Sequence, residues 1–341
     1  FFAHWARNPS NKSLKMLNLI QSTNFDFIKI GKVVTVISLV IILIGSGLLY
    51  KNRMTIFGMD FTGGYSLVLD LKEIPDTNYR DAVTQAFLKG GAQEQDFQIR
   101  ELNAPNILKL QFGTSMDQPD HPFENFNQES TPRLTWVVDA LKDQQLGLRN
   151  DSIKDLENNW VNVSGQISNT MKYNAIWGLS LALLSILIYI SIRFELRFAL
   201  SSIICLLHDI LITIACLAIF HSFNVPLQID LEIIGALMTI VGYSLNDIII
   251  IFDRIREDLR LHRKFSLLQI TNQAVNKTLS RTLMTSITTL LVLVSLTIFG
   301  GGSVFAFSFV MLLGILLGTI SSLFVAPLIL TMLEKKTASS N

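Results

Sequence analysis

Residues 229–252 read IDLEIIGALMTIVGYSLNDIIIIF. About 20 helical residues cross a hydrocarbon core roughly 30 Å thick, so this run is long enough to be a membrane span. It carries a carboxylate, Asp247, inside the motif Gly242-Tyr243-Ser244-Leu245-Asn246-Asp247, and it is followed by Arg254, Arg256, Arg260, Arg263, Lys264 and Lys277. Further runs of the same kind occupy 31–50, 174–192, 198–220, 282–299 and 303–333. The composition agrees with them. Half of the 341 residues are hydrophobic and 16% are charged, against about 25% charged in soluble domains, and the mean hydropathy is +0.42. An ordinary soluble enzyme is therefore excluded. With 28 basic and 27 acidic residues the net charge is +1, so nothing points to a nucleic-acid partner or an acidic tail. The two cysteines, Cys205 and Cys216, lie in one run and would stand about 16 Å apart on a helix, too far for a disulfide.

The first run follows a polar, mixed stretch and no small-residue cleavage site closes it before Tyr50, Lys51 and Arg53, so it reads as an anchor and not as a signal peptide. The last run exceeds one crossing, which predicts tilt or an interfacial start. Lys and Arg near span ends are retained in the cytoplasm. Lys12, Lys15 and Lys29 precede the first run and Lys32 stands at its start, Arg193 and Arg197 separate the second from the third, and Lys335 and Lys336 follow the sixth. The loops at His221–Pro226 and Gly300–Gly302 carry no Lys or Arg. Both termini are accordingly expected in the cytoplasm of a multi-pass protein of the bacterial inner membrane. The expected order is a cytoplasmic segment or linker (1–30), the first span (31–50), an extracytoplasmic domain (51–172), spans two to six (173–335) with a cytoplasmic loop at 253–280, and a tail (336–341).

Periodicity in the long polar segment changes between 2 and 3.6. A strand is predicted at Tyr65–Lys72, a helix at Asp76–Lys89 closed by Gly90-Gly91, a strand pair at Phe97–Leu102 and Ile107–Phe112, a helix from Thr131-Pro132 to Gln145, and a strand at Trp160–Val163. The order βαββαβ is that of a ferredoxin-like α+β unit. The polar loop around Thr114–Ser130 is longer than that pattern needs.

A carboxylate near the middle of a span is unfavourable by about 2.5 to 3.5 kcal/mol on insertion scales. Asp247 and Asp209 are both so placed, and each reads either as a proton or cation relay or as one end of an interhelical hydrogen bond. His208 beside Asp209 reads as its hydrogen-bonding neighbour. Arg281, at the inner end of the fifth run, can snorkel to the interface or join a relay, and Ser280, Thr282, Thr285, Ser286, Thr288 and Thr289 put a hydroxyl stripe near it. Gly314 and Gly318 form a small-residue pair suited to a close helix contact. Asp60, beside Gly63-Gly64, reads as a turn residue. No His, Cys or carboxylate spacing forms a metal site, and no glycine-rich phosphate loop is present. Neither a cofactor nor an enzymatic activity is expected.

Several of these blocks, in order over about 320 residues, resemble the SecF family. They are Gly58-Met59-Asp60-Phe61-Thr62-Gly63-Gly64, His208-Asp209, Gly242 to Asp247 running into Phe252-Asp253-Arg254-Ile255-Arg256-Glu257, and Ser280-Arg281-Thr282. SecF is the smaller half of the SecDF accessory of the bacterial export channel, within the resistance-nodulation-division class. The resemblance implies a bundle of six transmembrane helices with a small extracytoplasmic domain, and work with a SecD-like subunit, a SecYEG-type channel, unfolded polypeptides in transit and membrane lipids. It also implies use of the proton-motive force, H⁺ being the coupling ion with Na⁺ as the alternative. Asp247, Arg281 and Asp209 then become relay residues, supported by His208, Asn246, Tyr243 and Gly242, while Gly58 to Gly64 is a structural motif. Residues 1–15 precede the expected start of the family region near Met16, and the resemblance leaves open a separate SecF or the C-terminal half of a fused SecDF chain.

Two other functions compete. A half-transporter for small molecules or lipids would need a substrate pocket in a domain of only about 110 residues. An intramembrane aspartyl protease would pair two aspartates on neighbouring spans, but its motifs differ from His208-Asp209 and Asn246-Asp247.

Overall fold

The computed structural model describes residues 25–52, 56–74, 78–93, 96–102, 104–126, 130–143, 146–149, 153–163, 165–223, 225, 227–261, 265–300 and 302–338. Six of its helices are long and apolar enough to cross a membrane: α1 (Phe27–Lys51), α6 (Gly165–Arg193), α7 (Leu196–Ser222), α8 (Leu231–Leu261), α9 (Leu267–Phe299) and α10 (Gly302–Ala338). Between α1 and α6 lie α2 (Met59–Thr62), β1 (Gly64–Asp70), α3 (Tyr79–Lys89), β2 (Phe97–Glu101), β3 (Ile107–Phe112), a 3₁₀ turn (Thr114–Asp117), α4 (Ser130–Asp143), α5 (Ile153–Asn158) and β4 (Val161–Val163).

Within the bundle α10 is central and packs against α1, α7, α8 and α9. Lipid removes the hydrophobic drive for helix association, so close approach and hydrogen bonds must supply it. A Cβ on Gly314 would lie 2.2 Å from Ile240 Cδ1, so glycine here lets α10 lie directly on α8. At one end of the bundle, Asn272 Nδ2 donates to Asp26 at 2.9 Å and Asn276 Nδ2 to the Phe25 carbonyl at 2.9 Å, tying the start of α1 to α9. The Asn272 hydrogen bond, helped by the Lys29 amide, holds the Asp26 carboxyl below its usual range.

The span helices outrun their apolar runs. The segment expected as a loop at 253–280 is largely helical, because α8 continues through charged residues that form ion pairs with one another. Arg254 pairs with Glu257 (2.8 Å) and Asp258 (3.3 Å), and Arg256 with Asp253 (3.0 Å). Asp258 is 1% exposed and also receives Lys277 Nζ at 2.8 Å. The α9 helix starts with a capping box from Ser266 and Gln269, a pattern of orphan-donor satisfaction that hydropathy does not register.

The sheet has the order β2-β3-β1-β4 with every pairing antiparallel, which together with α3 and α4 is the ferredoxin-like arrangement. The helix predicted from Asp76 begins at Tyr79, where the Asn78 side chain accepts the Asp81 amide; residues 75–77 lie outside the described set. Phe87, Phe112, Phe123 and Trp136 form an aromatic core through edge and stacked contacts. The segment expected as a polar loop contributes to that core, since Met116 and Phe123 are fully buried. Asp117 at its start receives Tyr65 Oη at 2.7 Å and Arg133 at 2.9 Å, and the buried Arg133 lies 4.2 Å over the Tyr65 ring.

The Gly58–Gly64 motif is the joint between domain and bundle. The Gly58 amide donates to the Ile229 carbonyl at 2.8 Å, and the Ile229 amide donates to Ile56 at 2.7 Å. Phe61 is buried among Leu227, Ile229, Ile233 and Leu237. Asp60 accepts the Leu231 amide at 3.1 Å, so its carboxylate caps α8. Gly64 has φ +128°, and a Cβ there would stand 2.1 Å from the Phe112 carbonyl. Only glycine fits a backbone that is both left-handed and pressed against β3.

Candidate functional site

Asp209, on α7, is the hub of a polar cluster inside the bundle. It is fully buried. Ser244 Oγ on α8 donates to its Oδ2, and His208 Nδ1 lies 3.3 Å from its Oδ1. His208 Nε2 reaches Ser38 of α1 at 2.8 Å, and Ser38 also donates to the Thr35 carbonyl at 2.8 Å. The single hydroxyl hydrogen of Ser38 is spent on Thr35, so Nε2 must be the donor to Ser38. A proton then has to lie between Nδ1 and Asp209, on one or the other, for the His208–Asp209 contact to be a hydrogen bond. The contact therefore requires one shared proton. One turn back along α7, Cys205 approaches Ser321 of α10 at 3.7 Å.

Asp247 has the opposite environment. It is 1% exposed, and among the described residues neither carboxylate oxygen has a hydrogen-bond partner. It lies about 24 Å along α8 from Leu231 and about 10 Å from Arg254. Arg281 on α9 is exposed, and among the described residues no hydrogen bond or ion pair joins it to Asp247. Its neighbour Thr282 is buried with an equally unpartnered hydroxyl. Tyr243 reaches across to Thr289 at 3.3 Å and Ser286 to Thr319 at 2.7 Å, so part of the hydroxyl stripe ties α9 to α8 and α10. Thr285 and Thr288 bond back to their own helix.

Gly242 and Asn246 face outward. Both are exposed, together with Thr239 on the same side of α8, and a Cβ on Gly242 would meet nothing within 4 Å. Two residues with central places in the cluster, Ser38 and Ser244, carry little sequence signal of their own. Ser244 is three residues before Asp247 and so shares its helix face, which is the clue that spacing alone could have supplied.

Six apolar helices, one βαββαβ domain after the first and buried ionisable groups in the third and fourth define a multi-pass membrane protein with a polar site inside its bundle. Residues 147–336 match the family described as protein export membrane protein SecD/SecF, C-terminal. The chain is 33% identical over 325 residues to the protein translocase subunit SecF of Rhodothermus marinus, covering 95% of this chain and 97% of that one. It is 31% identical to the SecF of Calditerrivibrio nitroreducens, covering 92% and 95%. Among solved structures, SecDF from Thermus thermophilus, a translocon-associated membrane protein, superposes with a TM-score of 0.73 at 26% identity, over 92% of this chain and 39% of that chain. The chain belongs to the SecF family.

Proposed function

We propose that this chain is the SecF subunit of a SecDF-type complex that uses the proton-motive force to assist protein translocation through a SecYEG-type channel. One observation carries the proton-coupling part: Asp247 is buried in a span, and among the described residues both its carboxylate oxygens are unpartnered. A buried carboxylate without a partner tends to hold a proton, whereas a guanidinium brought beside it stabilises the ionised form. Arg281 stands on the adjacent helix α9, and a shift of α9 against α8 that brought it beside Asp247 would supply that cation. Proton occupancy and helix position are thereby linked. One charge crossing 100 mV supplies about 2.3 kcal/mol, enough to shift a two-state population by about fiftyfold. Asp209 and His208, already bonded to α1 and α8, hold their proton in a closed network and take the secondary place.

The exposed Thr239, Gly242, Asn246 and Arg281 support a partner subunit. Small and polar side chains on an outer face of the bundle are poorly matched to lipid and well matched to a second helical bundle. SecD-like membrane helices are the proposed cover, with lipid around the remaining apolar faces. The distribution of Lys and Arg around the spans supports an orientation with both termini in the cytoplasm and the α+β domain outside.

The test is proton flux through the purified complex with its SecD-type partner, reconstituted in liposomes with an internal pH dye. Asp247→Asn should abolish flux while leaving assembly intact, and Arg281→Lys should reduce it because the planar fork is lost. Unchanged flux in Asp247→Asn would exclude this carboxylate from the path.

A further inference from the structure

Where the α+β domain meets the bundle, a cleft of about 410 Å³ opens between β3 and the segment leading into α8. That size falls within the range of ligand-binding clefts. Its polar lining is dominated by side-chain amides, among them Gln111 on β3, Gln118 after the 3₁₀ turn and Gln228 before α8, with Phe57 and Phe112 as apolar patches. Gln228 is only 5% exposed. Among the described residues its side chain makes no hydrogen bond, and the same holds for Gln111 and Gln118. Among the described residues Asp96 is the one carboxylate of the lining, and it is already engaged by the Gln93 amide (2.8 Å), Ser115 (2.8 Å) and His121 (3.4 Å). Among the described residues no Lys or Arg lines the cleft.

The ligand class follows from those groups. An anion would find no cation, and a purely apolar ligand would leave the buried Gln228 amide unpaired at the cost of its desolvation. Each glutamine offers two donors and an acceptor with no net charge, which complements the peptide group, with its one N–H and one C=O per residue. Recognition through amides reads the main chain and not the side chains. We propose that this cleft binds an extended segment of unfolded polypeptide by its main chain. The proposal rests on the export reading for the source of such a chain and adds to it the place of contact. Gln111 belongs to the domain, whereas Gln228 stands two residues before Asp230 on the strand-like segment held by Gly58 and Ile56. A bound chain would thus touch the domain and the start of the helix carrying Asp247 at once.

The experiment uses the full chain in nanodiscs and three fluorescent, unstructured peptides of neutral composition, read by anisotropy. One has a chosen sequence, one is its scramble and one is its backbone N-methylated form. The chosen peptide and its scramble should bind within twofold of each other, and the N-methylated form at least tenfold more weakly. Gln111→Leu and Gln228→Leu should each weaken binding at least fivefold. Gln111 lies on a half-buried strand position, so its variant reports even if Gln228→Leu fails to fold. The same affinity in the Gln111→Leu protein, no binding by the parent, or affinity that follows side-chain sequence would each overturn the proposal. Binding needs neither channel nor gradient, so Asp247→Asn should bind like the parent. Failure of the cleft is thereby separable from failure of proton coupling.

Discussion

Replacing Asp60 with Ala removes the carboxylate that receives the Leu231 amide at 3.1 Å. The neighbouring Asp230 side chain is already committed to the Ile233 amide at 2.9 Å, so it does not replace the lost acceptor. Loss of an N-terminal cap is worth about 0.5 to 2 kcal/mol, and the exposed setting of this bond places it near 1. The negative charge beside the helix N-terminus adds about 0.3 to 1 kcal/mol. The first turn of α8 should therefore open about tenfold more often, since about 1.4 kcal/mol is a factor of ten. Amide hydrogen exchange in nanodiscs reads this directly. The Leu231 amide should exchange about tenfold faster in Asp60→Ala, while amides around Ile255, at the far end of the same helix, keep their rates. Asp60→Asn retains an acceptor but no charge and should fall between. The backbone bonds Gly58–Ile229 and Ile229–Ile56 survive the substitution, so the domain should stay docked. Parental exchange at Leu231 would refute the cap, and acceleration spread evenly through α8 and α9 would show that Asp60 acts on global stability instead.

Three further outcomes are expected. Burial, followed by the Asp117 hydrogen bond, pushes the Tyr65 hydroxyl up to about 12. A raised value favours the neutral form in the folded domain, so this contribution is intact below about pH 10 and is lost as pH rises towards the folded value. Tyrosinate absorbance and circular dichroism followed together should show unfolding in that window, reduced in Tyr65→Phe. Lys277→Met leaves the buried Asp258 with Arg254 alone at 3.3 Å. Breaking a buried pair is unfavourable by about 3 to 5 kcal/mol, and the partly exposed lysine reduces this to roughly 1 to 3. Thermal unfolding should shift down by several degrees, with recovery in Lys277→Arg. For orientation, a cysteine placed at the exposed Asn125 should react in intact cells with an impermeant thiol reagent, and one placed at His262 should not. Protection at Asn125 would reverse the assigned topology.

The spans were legible because a membrane demands about 20 apolar residues in a row. Five of the six apolar runs lie within a helix, and the run at 229–252 starts two residues before α8, where Ile229 is held as a strand-like segment by Ile56 and Gly58. Their ends were less so. Past Phe252 the helix is sustained by Arg254–Glu257 and Arg256–Asp253 pairs, which look like loop to a hydropathy scan. The βαββαβ order was equally legible from strand and helix periods. The packing of Met116 and Phe123 into the domain core was not, since two apolar residues in a polar stretch have no period to detect. Asp209 and Asp247 stand out as intramembrane carboxylates on sequence grounds alone. Their difference in bonding depends on Ser38 and Ser244 arriving from other helices, and it became visible only in three dimensions. The capping role of Asp60 similarly joins residues 171 positions apart, beyond any local rule.

The central claim is that Asp247 couples the proton-motive force to translocation. It is tested most directly by export of a precursor into inverted membrane vesicles with and without an uncoupler, comparing the parent chain with Asp247→Asn. Both proteins should assemble equally with the SecD-type partner. The parent should show an uncoupler-sensitive component of export that Asp247→Asn lacks, with Asp209→Asn milder. An equal uncoupler-sensitive component in Asp247→Asn would contradict the account.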